Sequence, residues 1–169
     1  MLYMGDEVAH ADDFTYRHDP ERVHDSRWRQ RPLLDDDAVA RRHDPGSVEG
    51  RVWHGIRLLV AARTSCPALH AGGSVRPLWV GDEAVLGWLR EHPRHGRLLG
   101  LANVTAQPRT LPAAVLPDLT TQSARAVVDL LEPPATTSWP GRTVRLSPYQ
   151  VRWLTAEAEL STSPAASPS

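Results

Sequence analysis

The chain has 169 residues, a mass of 18.7 kDa, a formal net charge of −1 and a single cysteine. A complete (β/α)8 barrel needs roughly 250 residues, so this length excludes one. The near-zero charge argues against a phosphate-driven nucleic-acid binder, and one cysteine cannot close an internal disulfide.

With 41% hydrophobic residues the chain can bury a core. No apolar run approaches the roughly 20 residues that span a bilayer. The start, Met1-Leu2-Tyr3-Met4-Gly5-Asp6-Glu7, carries acids where a secretory signal needs basic residues. The expectation is a soluble, cytoplasmic protein with no membrane or nucleic-acid partner. All 19 basic residues are arginine, which reads as coding bias rather than mechanism.

Residues 1–47 hold 9 of the 12 aspartates and 4 of the 8 histidines. Apolar residues are sparse between Ala11 and Arg31. Such a segment cannot bury enough apolar area to offset its ordering entropy, so it reads as a long functional loop or a disordered arm. Asp44-Pro45 is a helix-start signal, an Asp cap with Pro at the first helical position. A helix from Pro45 to Thr64 is expected, with Val48, Val52, Ile56, Leu59 and Val60 as its apolar stripe. Pro67 stops it.

After Gly72-Gly73 the period changes from helical to extended. Strands are expected at 77–80, 85–90 and 98–104, the third apolar on both faces and therefore central. Further extended segments cover 110–116, 126–131 and 143–154. Short strands at near-regular spacing with turn signals point to an antiparallel sandwich. Past residue 155 the composition is that of a disordered tail.

Several residue groups invite a chemical reading. His10, His18, His24 and His43 lack the paired spacing of zinc sites and have no nearby cysteine, so neither metal nor cofactor is expected. Asp12-Asp13, Asp25 and Asp35-Asp36-Asp37 are carboxylates on a loop, which does not preorganise a catalytic pair. Cys66 reads as a small buried apolar residue. Trp53, Trp79, Trp88, Trp139 and Trp153 could stack sugars, but Trp88 and Trp153 fall in strand patterns and read as core. The segment Asp25-Ser26-Arg27-Trp28-Arg29-Gln30-Arg31-Pro32 places several guanidinium forks beside an aromatic ring. That combination suits two-pronged recognition of a carboxylate.

These segments also occur in a recognisable order. Residues 2–7, the acid-rich loop, Asp25-Ser26-Arg27-Trp28 with Arg31-Pro32, His43-Asp44-Pro45-Gly46 and the final Pro148-Tyr149-Gln150-Val151-Arg152-Trp153-Leu154 closely resemble amylosucrase. Amylosucrases are sucrose-using glucosyltransferases of the α-amylase superfamily. The resemblance implies an α+β fragment. Residues 1–70 would be the last strand, long loop and last helix of a (β/α)8 barrel. Residues 71–156 would form a C-terminal antiparallel β-sandwich, and 157–169 the tail.

The family's activity is retaining glucosyl transfer from sucrose to α-glucan, or sucrose hydrolysis. Its Asp nucleophile, its Glu acid/base and a further sugar-gripping Asp lie on earlier strands, and no residue in 1–169 maps onto them. The resemblance therefore implies no catalytic residue here and a chain inactive alone. Arg27 matches the family's arginine at the base of the sugar pocket, where it pairs with an upstream Asp. Asp6 and Glu7 match the strand-end turn that supports the loop. Sucrose and α-glucan would bind only in the full-length context, with the barrel portion supplied by the same or another chain. Two alternatives are a free-standing β-sandwich binding module and one subunit of a split enzyme.

Overall fold

The computed structural model describes residues 5–30, 33–119, 126–132, 136–138 and 142–156. The chain divides into two compact units, Met1–Val60 and Ala61–Ser169.

The first unit is built from short helical turns. Single 3-10 turns cover Asp6–Val8, Thr15–His18 and Ser26–Gln30. Of residues 2–7, expected as the last barrel strand and its end turn, 2–4 lie outside the described residues, as do Arg31 and Pro32. A short helix, α1 (Asp36–Arg41), follows where no element is expected from the sequence. Asp35 caps it by accepting the amide of Asp37, and Asp36 and Asp37 occupy its first turn. There the partial positive charge of the helix start stabilises them. The Asp run is thus a helix start, with all three side chains exposed.

The long helix, α2, runs Val48–Ser65, and the unit boundary falls within it. It begins three residues later than the Asp44-Pro45 signal implies. Asp44 instead accepts the amide of Gly46 in a turn ahead of the helix. The cap is Ser47, whose Oγ accepts the Gly50 amide at 2.8 Å. A Cβ at position 50 would overlap the Asp44 carbonyl, so only glycine lets the turn close on the helix. Arg41 binds Glu49 at 2.7 Å and ties α1 to the first turn of α2. Of the expected stripe, Val48, Leu59 and Val60 are exposed. We expect Ser47→Ala to destabilise α2 by about 1 kcal/mol, with Ser47→Asp close to neutral. Urea titration followed by far-ultraviolet circular dichroism tests this, and equal midpoints for Ser47→Ala and the parent would remove Ser47 as the cap.

The second unit is antiparallel β. Its strands are β1 (Ser74–Leu78), β2 (Val85–His92), β3 (Gly96–Asn103), β4 (Arg109–Pro112), β5 (Ala126–Asp129), β6 (Thr136–Ser138), β7 (Thr143–Leu146) and β8 (Val151–Ala156). Six form one sheet in the order β1-β2-β3-β8-β5-β6, and β4 pairs with β7 in a second. The expected segment 143–154 is therefore two strands in two different sheets, and β6 was not foreseen.

Leu89, Leu99, Leu101, Val127 and Leu154 from the large sheet share one core with Leu111, Val144 and Leu146 from the small one. Strand β3 is central, as its doubly apolar pattern implies. On its second face Leu98 lies against Cys66 and against Ala68 of the 3-10 turn Pro67–Leu69, and Gly100 lies under the Trp88 indole. Cys66 is fully buried there. Among the described residues no helix is long and apolar enough to cross a membrane.

Candidate functional site

The loop of the first unit is held by pairs of charge and ring. The amide of Asp13 donates to the carbonyl of Arg29 at 2.9 Å, folding the loop back on itself. Arg29 Nε binds Asp12 Oδ2 at 2.6 Å, and its guanidinium sits 5.2 Å from the Phe14 ring centre. Arg22 lies 4.5 Å over the Trp28 ring. A segment with few apolar groups is thereby ordered by arginine stacking and ion pairing instead of burial.

Arg27 stands in the 3-10 turn Ser26–Gln30. Its Nε and Nη2 each donate at 2.8 Å to the two carboxylate oxygens of Asp25, and its amide donates to Asp25 Oδ1 at 3.0 Å. The guanidinium is thus occupied within this chain by its near neighbour. Its side chain is 73% exposed, so it lines no enclosed pocket here. Donation of these hydrogen bonds to Asp25 keeps the guanidinium even more firmly protonated than usual. Asp6 and Glu7 sit in a separate turn, where Glu7 Oε2 accepts the Gly5 amide at 2.9 Å.

The loop carboxylates are arranged as partners of cations or turn amides. Asp13 is held below the ordinary carboxylate range by backbone and side-chain hydrogen bonds from Thr15. Glu49 is held below it by the hydrogen bond from Arg41. Both shifts run opposite to the upward shift that a general acid working near neutral pH needs. No group of three or more His, Cys, Asp or Glu among the described residues is placed to hold a metal ion. Trp79 is exposed, Trp88 and Trp153 are half-buried, and Trp139 lies outside the described residues.

A second cluster has no counterpart in the sequence reading. Three histidines meet at the β2–β3 hairpin. The rings of His92 and His95 are 4.4 Å apart, and those of His70 and His95 are 5.7 Å apart at a steep angle. Beside them is a cleft of about 360 Å³ whose lining includes Ser74, Glu91, His92 and Arg97. The spacing His92-x-x-His95 is visible in the sequence but reads as a turn, and the approach of His70 comes only from the fold.

No family model matches the chain. Two solved structures of a Bacillus licheniformis trehalose-6-phosphate hydrolase are similar to it at 18% identity. The first has a TM-score of 0.47 and overlaps 72% of this chain and 20% of that one. The second, a mutant in complex with PNG, has a TM-score of 0.46 and overlaps 67% and 19%. The chain therefore spans about a fifth of the length of these structures.

Proposed function

We propose that this chain is the C-terminal part of an amylosucrase-like enzyme of the α-amylase superfamily. In this reading, residues 5–65 hold the last loop and helix of its barrel, and the two antiparallel sheets are its C-terminal sandwich domain. The observation that carries the reading is the ordered match around Asp25-Ser26-Arg27-Trp28, followed by His43-Asp44-Pro45-Gly46. Its geometry is compatible: Arg27 is exposed and held by a residue only two positions away. A guanidinium in such a local pair can exchange one carboxylate for another at little cost. In the assembled enzyme Arg27 would pair with an Asp of an earlier barrel strand and close the base of the sugar pocket, with Asp6 and Glu7 supporting the loop end.

Retaining glucosyl transfer needs two carboxyls, one as nucleophile and one as acid/base across the scissile bond, and in this reading both belong to earlier barrel strands. We expect no glucose or fructose release from sucrose by this chain. Fused to an amylosucrase barrel, it should support activity, and Arg27→Ala in that fusion should lower kcat/KM about tenfold or more. Sucrose cleavage by the lone chain would overturn the reading. Full activity of the Arg27→Ala fusion would remove Arg27 from the pocket.

A second reading, a free-standing β module for binding, is favoured by one observation: the second unit has a core of its own. Residues 61–169 expressed separately would then fold and retain a cooperative thermal transition.

A further inference from the structure

Arg90 and His92, both on β2, hold the segment that leads into β1. Arg90 Nε donates to the carbonyl of Ala68 at 2.9 Å and Nη2 to that of His70 at 2.6 Å. His92 is buried and has both ring nitrogens engaged. Its Nδ1 accepts the amide of Arg94 at 3.2 Å, and its Nε2 faces the carbonyl of Ala71 at 3.2 Å. An Nδ1 that accepts an N–H carries no proton, so the neutral ring keeps its proton on Nε2 and donates it to Ala71. One side chain in one tautomer thus joins residues 70–72 to the hairpin turn 93–96. The same segment includes Ala68, which lies with Cys66 against Leu98.

A second proton on that ring has nowhere to go. At Nδ1 it would meet the Arg94 amide, donor against donor. Around it stand the His95 ring at 4.4 Å, itself in contact with His70, and two arginines, Arg94 in the turn and Arg90 on the same strand. The one carboxylate among the cleft's lining residues, Glu91, is already paired with Arg97 at 2.9 Å and with Arg76 at 3.6 Å. We propose that His70, His92 and His95 form an acid-sensitive latch, which holds the Cys66–Gly72 strap over the large sheet while neutral and releases it when protonated.

His95 supports the sign. Partial burial, and then the positive potentials of His92, His70 and Arg94, hold its pKa below the ordinary histidine value. Once the corner opens, His95 therefore takes up a proton that it refuses in the closed one. Stability of this corner is complete above about pH 6.5 and falls as pH drops below it. The latch does not depend on the sugar-enzyme reading.

Hydrogen exchange of the whole chain tests it, with each rate divided by the intrinsic rate at that pH. Between about pH 7.5 and about pH 5.5, protection of the Leu69 and His70 amides should fall about tenfold or more, while Leu99 and Leu101 in β3 keep theirs. Ring nitrogen resonances should show His92 protonated on Nε2 alone at the higher pH and titrating at the midpoint of strap release. His92→Gln keeps a donor for Ala71 without a titrating ring at that position, so its strap protection should fall clearly less in acid than that of the parent chain. Strap protection unchanged in acid, or release that does not track His92 in the parent chain, would overturn the proposal. The resonance measurement needs no variant and decides the matter even if His92→Gln does not fold.

Discussion

Asp129→Ala should cost the β unit about 3–5 kcal/mol. Asp129 lies on β5, and its side chain has no exposed surface. Its Oδ1 accepts the amides of Leu131 and Trp153, both at 3.1 Å, and its Oδ2 accepts Arg152 Nε at 2.7 Å. One carboxylate thereby serves the chain leaving β5 and the strand beside it, β8. Removing it leaves two amides without that acceptor and a guanidinium that is 15% exposed without its partner. A buried donor left unmade costs more than a made bond contributes. Arg152 keeps some access to water, which places the loss toward the lower end of the range. Asp129→Asn retains an oxygen for the amides and should cost less. Urea denaturation of the three proteins gives the comparison. A loss under 1 kcal/mol for Asp129→Ala would show that Arg152 and the two amides find other partners.

Gly100→Ala should destabilise by about 1–3 kcal/mol through overpacking. Gly100 faces Trp88 on β2 and Trp153 on β8 in register. The Trp88 indole lies across the glycine, and a Cβ at position 100 would fall among its ring atoms. The ring would have to leave the sheet surface. Trp88→Ala removes the obstruction, so the two substitutions should be strongly non-additive, the alanine at 100 costing far less once the ring is gone. A double-mutant cycle by thermal denaturation checks this. Additivity within about 0.5 kcal/mol would mean that the ring does not rest on Gly100.

The sequence was most legible where pattern and packing coincide. Val85–Leu89 and Leu98–Leu101 fall in neighbouring strands because apolar runs bounded by Gly81-Asp82 and Pro93-Arg94-His95-Gly96 have few other ways to bury themselves. The break between β7 and β8 was legible only in part, through Pro148, which marks a strand end. It needs Tyr149 at φ 56°, a left-handed conformation that a bulky residue disfavours and no local signal announces. Distant groups impose it. The Tyr149 amide donates to Thr105 O at 3.1 Å, and buried Asn103 donates to Ser147 O at 2.8 Å.

Helix α1 was hidden by its own acids, since three consecutive aspartates look like solvated charge until the first is seen to accept the amide of the third. In the candidate loop, residue types suggested arginine–carboxylate recognition. The choice of Asp25 as the partner of Arg27 depends on turn geometry that spacing alone does not fix. The histidine cluster was invisible because His70 and His95 are joined only by the fold.

Cys66, fully buried beside Leu98, has a practical consequence. It is the chain's single sulfhydryl, and the native fold screens it from solvent and from another molecule's thiol. A covalent dimer found under oxidising conditions would therefore record molecules that had opened at this corner. Its rate of appearance would count those openings without any added probe, since a screened thiol exchanges only when exposed.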